Sequence, residues 1–184
     1  LSADPIEEPS LAVFVAQLRD LMDGLGVERA TLVGFSLGGM IARRAAQDMP
    51  QRVERLILLN TAHKRTPEAQ SAIEMRVAQA ELEGSGATVE AALSRWFTDG
   101  YRAQNSEKID LVRRWVLANK KHIYYRNYRV LATGIDEIVA PDPPITCPTL
   151  VLTADKDYGN GPEMSEAIST EIQGARLVIL QGLR

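Results

Sequence analysis

Cysteine is nearly absent. Cys147 is the only one in 184 residues, so the chain can form neither an internal disulfide nor a multi-thiolate metal site. That usage suits a reducing compartment, and the cytoplasm is the expected location. Histidine is almost as scarce: His63 and His122 have no ligand-type company at metal-binding spacing, so no metal and no cofactor is expected. No run approaches the roughly 18 consecutive apolar residues of a membrane span. The start, Leu1-Ser2-Ala3-Asp4-Pro5, has no initiating Met and no signal-peptide core, and reads as mid-protein sequence. An excess of positive charge is also missing: 21 Lys and Arg stand against 24 Asp and Glu, a formal net charge of -3. Nucleic acid and anionic membrane surfaces are therefore not expected partners.

What remains is an ordinary soluble composition, 45% hydrophobic and 24% charged, enough for about one packed domain. Between Ser10 and Gly24, Leu11, Phe14, Val15, Leu18, Leu21 and Met22 recur at three- and four-residue spacings, which predicts an amphipathic helix capped by Ser10. Two short apolar runs follow, Ala30–Phe35 and Val53–Asn60, of the kind found in strands buried on both faces. The segment Leu37–Met49 between them carries helical spacing and is closed by Pro50. Strand, helix and strand over this length make a βαβ unit.

From Thr66 to Val139 the character changes. Both Trp and four of the five Tyr lie here, and no convincing strand run appears. An inserted helical layer is predicted, ended by the stiff Pro141-Asp142-Pro143-Pro144 linker. The βαβ grammar then resumes: strand Thr149–Thr153, loop Ala154–Pro162, helix Glu163–Ile172 and strand Ala175–Leu180. The expected fold is α/β, a parallel sheet flanked by helices with a helical cap inserted after the second strand. The expected divisions are a first core part over 1–63, the cap over 64–140 and a second core part over 141–184.

Gly34-Phe35-Ser36-Leu37-Gly38 fits G-x-S-x-G, at a predicted strand end that turns straight into a helix. Such a turn holds its serine in strained backbone, and side chains at the flanking positions would collide with neighbouring backbone, which assigns Gly34, Gly38 and Gly39 as elbow glycines. It also puts Ser36 at a helix N-terminus, where the Leu37 N–H can stabilise a developing oxyanion. Ser36 is thus the candidate nucleophile. An anion-binding helix start, or a purely structural tight turn, is the alternative.

The stretch Gly34-Phe35-Ser36-Leu37-Gly38-Gly39-Met40-Ile41-Ala42, with Pro50-Gln51-Arg52-Val53 and Leu58-Leu59-Asn60-Thr61-Ala62, resembles the α/β-hydrolase superfamily. It is most similar to the branch of 3-oxoadipate enol-lactonases and small esterases. Arg95-Trp96-Phe97-Thr98 and Ile145-Thr146-Cys147-Pro148-Thr149-Leu150-Val151 extend the likeness over nearly the whole chain. The resemblance implies an acid after the strand that follows the cap, in a G-x-x-D pattern. Asp157 of Ala154-Asp155-Lys156-Asp157 occupies that place, with Ala154 in place of the usual Gly and Asp155 as competitor.

In that fold the order is Ser, acid, His, and no His follows Asp157. The resemblance implies a base in a loop beyond the run that ends at Arg184. It also implies early strands and an oxyanion-hole loop ahead of Leu1, making this an internal fragment of a longer hydrolase, nearly inactive by itself. His63 follows the second strand on the expected active-site rim and is a candidate pocket residue; His122 reads as a cap-helix residue.

Trp96 and Trp115 are further pocket candidates, within an aromatic set that includes Phe97, Tyr124, Tyr125 and Tyr128. The cationic stretch of Arg113, Arg114, Lys120, Lys121, Arg126 and Arg129 is read as a wet helix face, with carboxylate binding as the alternative. Cys147 reads as a small hydrophobe entering a strand. The expected activity is hydrolysis of a small carboxylic ester or lactone by a Ser-Asp-His triad. The alternatives are a non-catalytic small-molecule-binding protein of the same fold, or a C-C hydrolase or perhydrolase. Without an earlier strand to pair with, Ala30–Phe35 would form an apolar edge that invites self-association.

Overall fold

In the computed structural model, which describes residues 7–184, the chain enters helix α1 (Leu11–Gly24), where Ser10 Oγ accepts from the Val13 N–H at 3.1 Å. That bond satisfies one of the four orphan donors of the first helical turn. Leu11, Val15 and Met22 are buried, whereas Leu21 is exposed. The reading of Leu1–Pro5 lies outside the described residues.

Strand β1 (Ala30–Phe35) runs into helix α2 (Leu37–Asp48), and a 3-10 turn at Pro50–Arg52 leads into β2 (Val53–Leu59). Pro50 has no N–H to extend α2 and opens the next turn. β2 stops one residue short of the apolar run because Asn60 takes a left-handed backbone, φ 46°. A helical segment follows: α3 (Pro67–Glu83), α4 (Val89–Trp96), α5 (Asp99–Gln104), α6 (Ser106–Leu117) and α7 (Lys121–Thr133). Then come β3 (Thr149–Ala154), α8 (Pro162–Glu171) and β4 (Arg176–Leu180).

The four strands are all parallel and lie in sequence order, β1-β2-β3-β4. Register neighbours share a face, so Leu32, Leu56, Leu58, Val151 and Leu177 line one side. That side meets Ala42 and Ala46 of α2 and Ile168 of α8 in the main core. Burying a side chain such as Leu58 contributes about 1.5–3 kcal/mol. A second cluster joins α1, α2 and α7 through Leu11, Met40 and Val130.

The reading of β1 as buried on both faces is corrected. Val33 is 62% and Phe35 66% exposed, and they point away from the face that α2 covers. The periodicity of a short apolar run cannot tell a two-sided from a one-sided strand. β1 is the edge of the sheet among the described residues, as expected.

Arg43 of α2 is fully buried and acts as a junction. It donates to the Ala62 carbonyl at 3.2 Å, the Ile138 carbonyl at 2.7 Å and Glu171 Oε1 at 2.6 Å. One side chain thus ties α2, both ends of the helical segment and α8 together.

Candidate active site

Ser36 sits between β1 and α2 with φ 51° and ψ -117°, a conformation L-residues rarely adopt. Such strain persists only where the surroundings over-determine it. Two contacts do so here: the Ser36 N–H donates to the Leu59 carbonyl at 2.9 Å, and Thr61 Oγ1 donates to the Ser36 carbonyl at 2.8 Å. The Ser36 side chain makes no capping bond to its own helix, which leaves the hydroxyl uncommitted there. The Leu37 N–H is the first donor of α2, a position with no intrahelical acceptor.

Close approach explains two of the three elbow glycines. A Cβ on Gly34 would lie 2.6 Å from the Gly39 Cα, and one on Gly39 would lie 2.5 Å from the Thr61 Cβ. The assignment of Gly38 to the same role is corrected: a Cβ there meets nothing within 4 Å, because that position turns to open space at the start of α2.

Asp157, in the loop after β3, is held from two directions. Its Oδ2 accepts from Asn60 Nδ2 at 2.6 Å; its Oδ1 accepts from the Gly159 N–H at 2.7 Å and the Asn160 N–H at 3.0 Å. Asn160 returns a bond to the Asn60 carbonyl at 3.0 Å. Asp155, its competitor, faces elsewhere and accepts from the Leu183 N–H at 3.2 Å. Ser36, Asn60 and Asp157 therefore follow the carboxyl ends of three adjacent parallel strands, where open α/β sheets place their ligands.

Ser36 and Leu37 open into a cavity of about 440 Å³, a size suited to a small organic molecule. Helices α3, α4 and α7 supply much of its wall, and Tyr158, Gly159 and Asn160 another part. Trp96, Tyr124 and Tyr128 reach it, the two tyrosines packed edge to face with ring centres 5.9 Å apart. Burial pushes the Tyr124 hydroxyl above its ordinary value.

Trp115 is corrected as a cavity residue. On α6 the face formed by Ile109, Val112 and Val116 packs against Val89 and Leu93 of α4, which turns Trp115 outward at 62% exposure. His63 is corrected likewise: its Nε2 lies 3.1 Å from Glu171 Oε2, in the Arg43 network and off the cavity wall. His122 is exposed at the start of α7.

The cationic stretch faces away too. Arg113 pairs with Glu90 at 2.6 Å and also with Asp110, and Arg129 reaches Glu81 at 3.4 Å. The cations of the cavity wall are three others, Arg65 and Arg76, which sequence reasoning did not single out, and Arg95, noted there only within the Arg95–Thr98 segment. Arg65 donates to the Leu131 carbonyl at 2.9 Å and Arg76 to the Tyr128 hydroxyl at 3.0 Å. Burial lowers the pKa of both Arg65 and Arg95, and the charge of Arg76 acts in the same direction on each. Spacing gave no sign of them, since they come from a loop and two different helices. Asn60 and Thr61 were visible only as part of a quoted motif. Among the described residues no cluster of three or more His, Cys, Asp or Glu is arranged to hold a metal ion.

Comparison with known proteins gives this arrangement a context. The (E)-2-((N-methylformamido)methylene)succinate hydrolase of Acinetobacter baylyi is 29% identical over 180 residues, 92% of this chain and 65% of that protein. The 3-oxoadipate enol-lactonase 2 of the same organism is 33% identical over 90 residues, 49% of this chain and 33% of that one. The crystal structure of the enol-lactonase from Burkholderia xenovorans superposes with a TM-score of 0.84 at 27% identity, over 96% of this chain and 66% of that one. The chain thus spans a little under two thirds of the length of the first and the third of these proteins. The profile of the alpha/beta hydrolase fold matches residues 2–107, more than half of the sequence, and the chain belongs to that family.

Proposed function

We propose that the intact protein is a serine hydrolase that cleaves a small carboxylic ester or lactone. The observation that carries this reading is the backbone of Ser36, held at φ 51° on the strand-to-helix turn with its residue opening into the cavity. Ser36 Oγ adds to the substrate carbonyl carbon, and the Leu37 N–H stabilises the negative charge that develops on the oxygen. The ester C–O bond then breaks, the leaving oxygen takes up the proton that Ser36 lost, and water hydrolyses the acyl-serine.

Proton transfer requires an imidazole that Asp157 can orient. His63 is committed to Glu171 and His122 is exposed on α7, so this reading assigns the base to a histidine outside residues 1–184. The Asp157 carboxylate, fixed by three donors, suits the orienting role. Residues 64–140 act as a cap over the reacting centre. The likeness to the enol-lactonases supports a lactone as substrate.

The test is hydrolysis of short-chain 4-nitrophenyl esters by the full-length protein beside its Ser36→Ala variant. Loss of at least about 10³-fold in kcat is expected, as for removal of a triad member. Equal rates in the two proteins overturn the assignment of Ser36.

A further inference from the structure

The cavity beside Ser36 carries an unbalanced charge. Arg65, Arg76 and Arg95 line it, and no Asp or Glu does so among the described residues. Each of the three is withdrawn at least partly from solvent. Two have neutral partners only: Arg65 rests on backbone carbonyls and the Gln70 amide, and Arg76 on the Tyr128 hydroxyl. Arg95 makes no hydrogen bond or ion pair with any described residue.

Four surface arginines elsewhere in the molecule are neutralised. Arg44, Arg52, Arg102 and Arg113 each hold a carboxylate within 2.9 Å. Gathering three unneutralised guanidinium groups in one partly dry cavity costs stability through desolvation and mutual repulsion. An anionic ligand offsets both costs, and the planar guanidinium fork matches a carboxylate with two parallel N–H···O bonds.

We propose that the substrate of this site bears a carboxylate remote from its scissile bond, and that Arg95, with Arg76 beside it, receives that carboxylate. The inference rests on the hydrolase reading and adds the substrate's charge to it. Arg95 is the specificity residue: it holds the far end of the molecule while the ester carbonyl lies at Ser36. Arg65, braced by the Leu131 carbonyl, contributes field rather than contact.

Two substrates of equal acyl length test this in the full-length protein: the mono-4-nitrophenyl ester of adipate and 4-nitrophenyl hexanoate, which differ by a carboxylate in place of a methyl group. The adipate ester is expected to be preferred by at least about tenfold in kcat/KM, with the difference expressed in KM. Arg95→Met is expected to abolish the preference and Arg95→Lys to keep part of it. Arg114→Met, on the exposed side of α6, is expected to leave the preference as it is.

A second readout needs no turnover. Adipate titrated calorimetrically into the Ser36→Ala protein is expected to bind, and to bind at least about tenfold more weakly when Arg95→Met is added. A preference for the hexanoate ester, a preference indifferent to Arg95→Met, or absence of adipate binding each overturns the carboxylate site. None of these touches the hydrolase reading if hexanoate hydrolysis still depends on Ser36. Conversely, Arg95-dependent adipate binding by a protein whose esterase activity survives Ser36→Ala supports the anion site and sinks the hydrolase reading.

Discussion

Arg43 and Glu171, 128 residues apart in the chain, meet at 2.6 Å with the guanidinium wholly buried. The other carboxylate oxygen of Glu171 accepts from the Ala140 N–H at 2.8 Å and faces His63. Removing one partner of such a pair leaves the rest unpaired in a dry setting. Arg43→Met is expected to cost about 3–5 kcal/mol, read as a lowered urea midpoint.

The same carboxylate sets a pH dependence. Burial alone would raise the pKa of Glu171, but hydrogen bonds from His63 and Ala140, with the charge of Arg43, outweigh it and hold the group below the ordinary glutamate value. A depressed folded pKa gives stability that is full above the unfolded value and lost as pH falls through the folded one. Compared with Glu171→Gln, the unmodified protein is expected to be the more stable above about pH 5, with its advantage lost as the solution is acidified below the ordinary glutamate range near 4.3. Urea titrations of both proteins at a series of pH values check this; an advantage that grows on acidification contradicts it.

The three elbow glycines are expected to separate. Gly34→Ala and Gly39→Ala drive a methyl group into packed neighbours and should each cost about 1–3 kcal/mol. Gly38→Ala, facing open space in a helix, should instead stabilise by about 0.5–1 kcal/mol. Thermal denaturation of the three variants distinguishes the signs.

Asn60→Ala removes the amide that donates to Asp157 and places alanine at φ 46°. A lost donor to a charged group costs about 1.5–3 kcal/mol, and the left-handed backbone about 1–2 more. Denaturant unfolding should show a loss within the sum of those ranges, and an unchanged midpoint would mean that Asn60 does not hold the carboxylate in solution.

The exposed Val33 and Phe35 sit on the edge strand, on the face opposite α2. We expect the 184-residue chain to elute from size-exclusion chromatography as a dimer or larger, and Phe35→Thr to shift it toward monomer. A clean monomer at tens of micromolar protein would contradict the expectation.

Much of this architecture was legible in the sequence because it is written in local signals. The apolar runs of β1 to β3, Pro50 after α2 and Ser10 ahead of α1 each act within a few residues. Ser36 was legible for the same reason, its glycines being neighbours. What stayed hidden depends on distance along the chain. Arg43 looks like any other helix-borne arginine until Ala62, Ile138 and Glu171 close around it. Arg65, Arg76 and Arg95 converge only when α3 and α4 fold over the sheet end. Trp115 and His63 drew notice by residue type, which says nothing about which way a side chain turns.

The residues after β2 hold both neighbours at once: Thr61 grips the carbonyl of Ser36 and Asn60 grips the carboxylate of Asp157. A displacement at this hinge pin would carry serine and aspartate along as one rigid pair. Their separation would survive while their height under the helices changed.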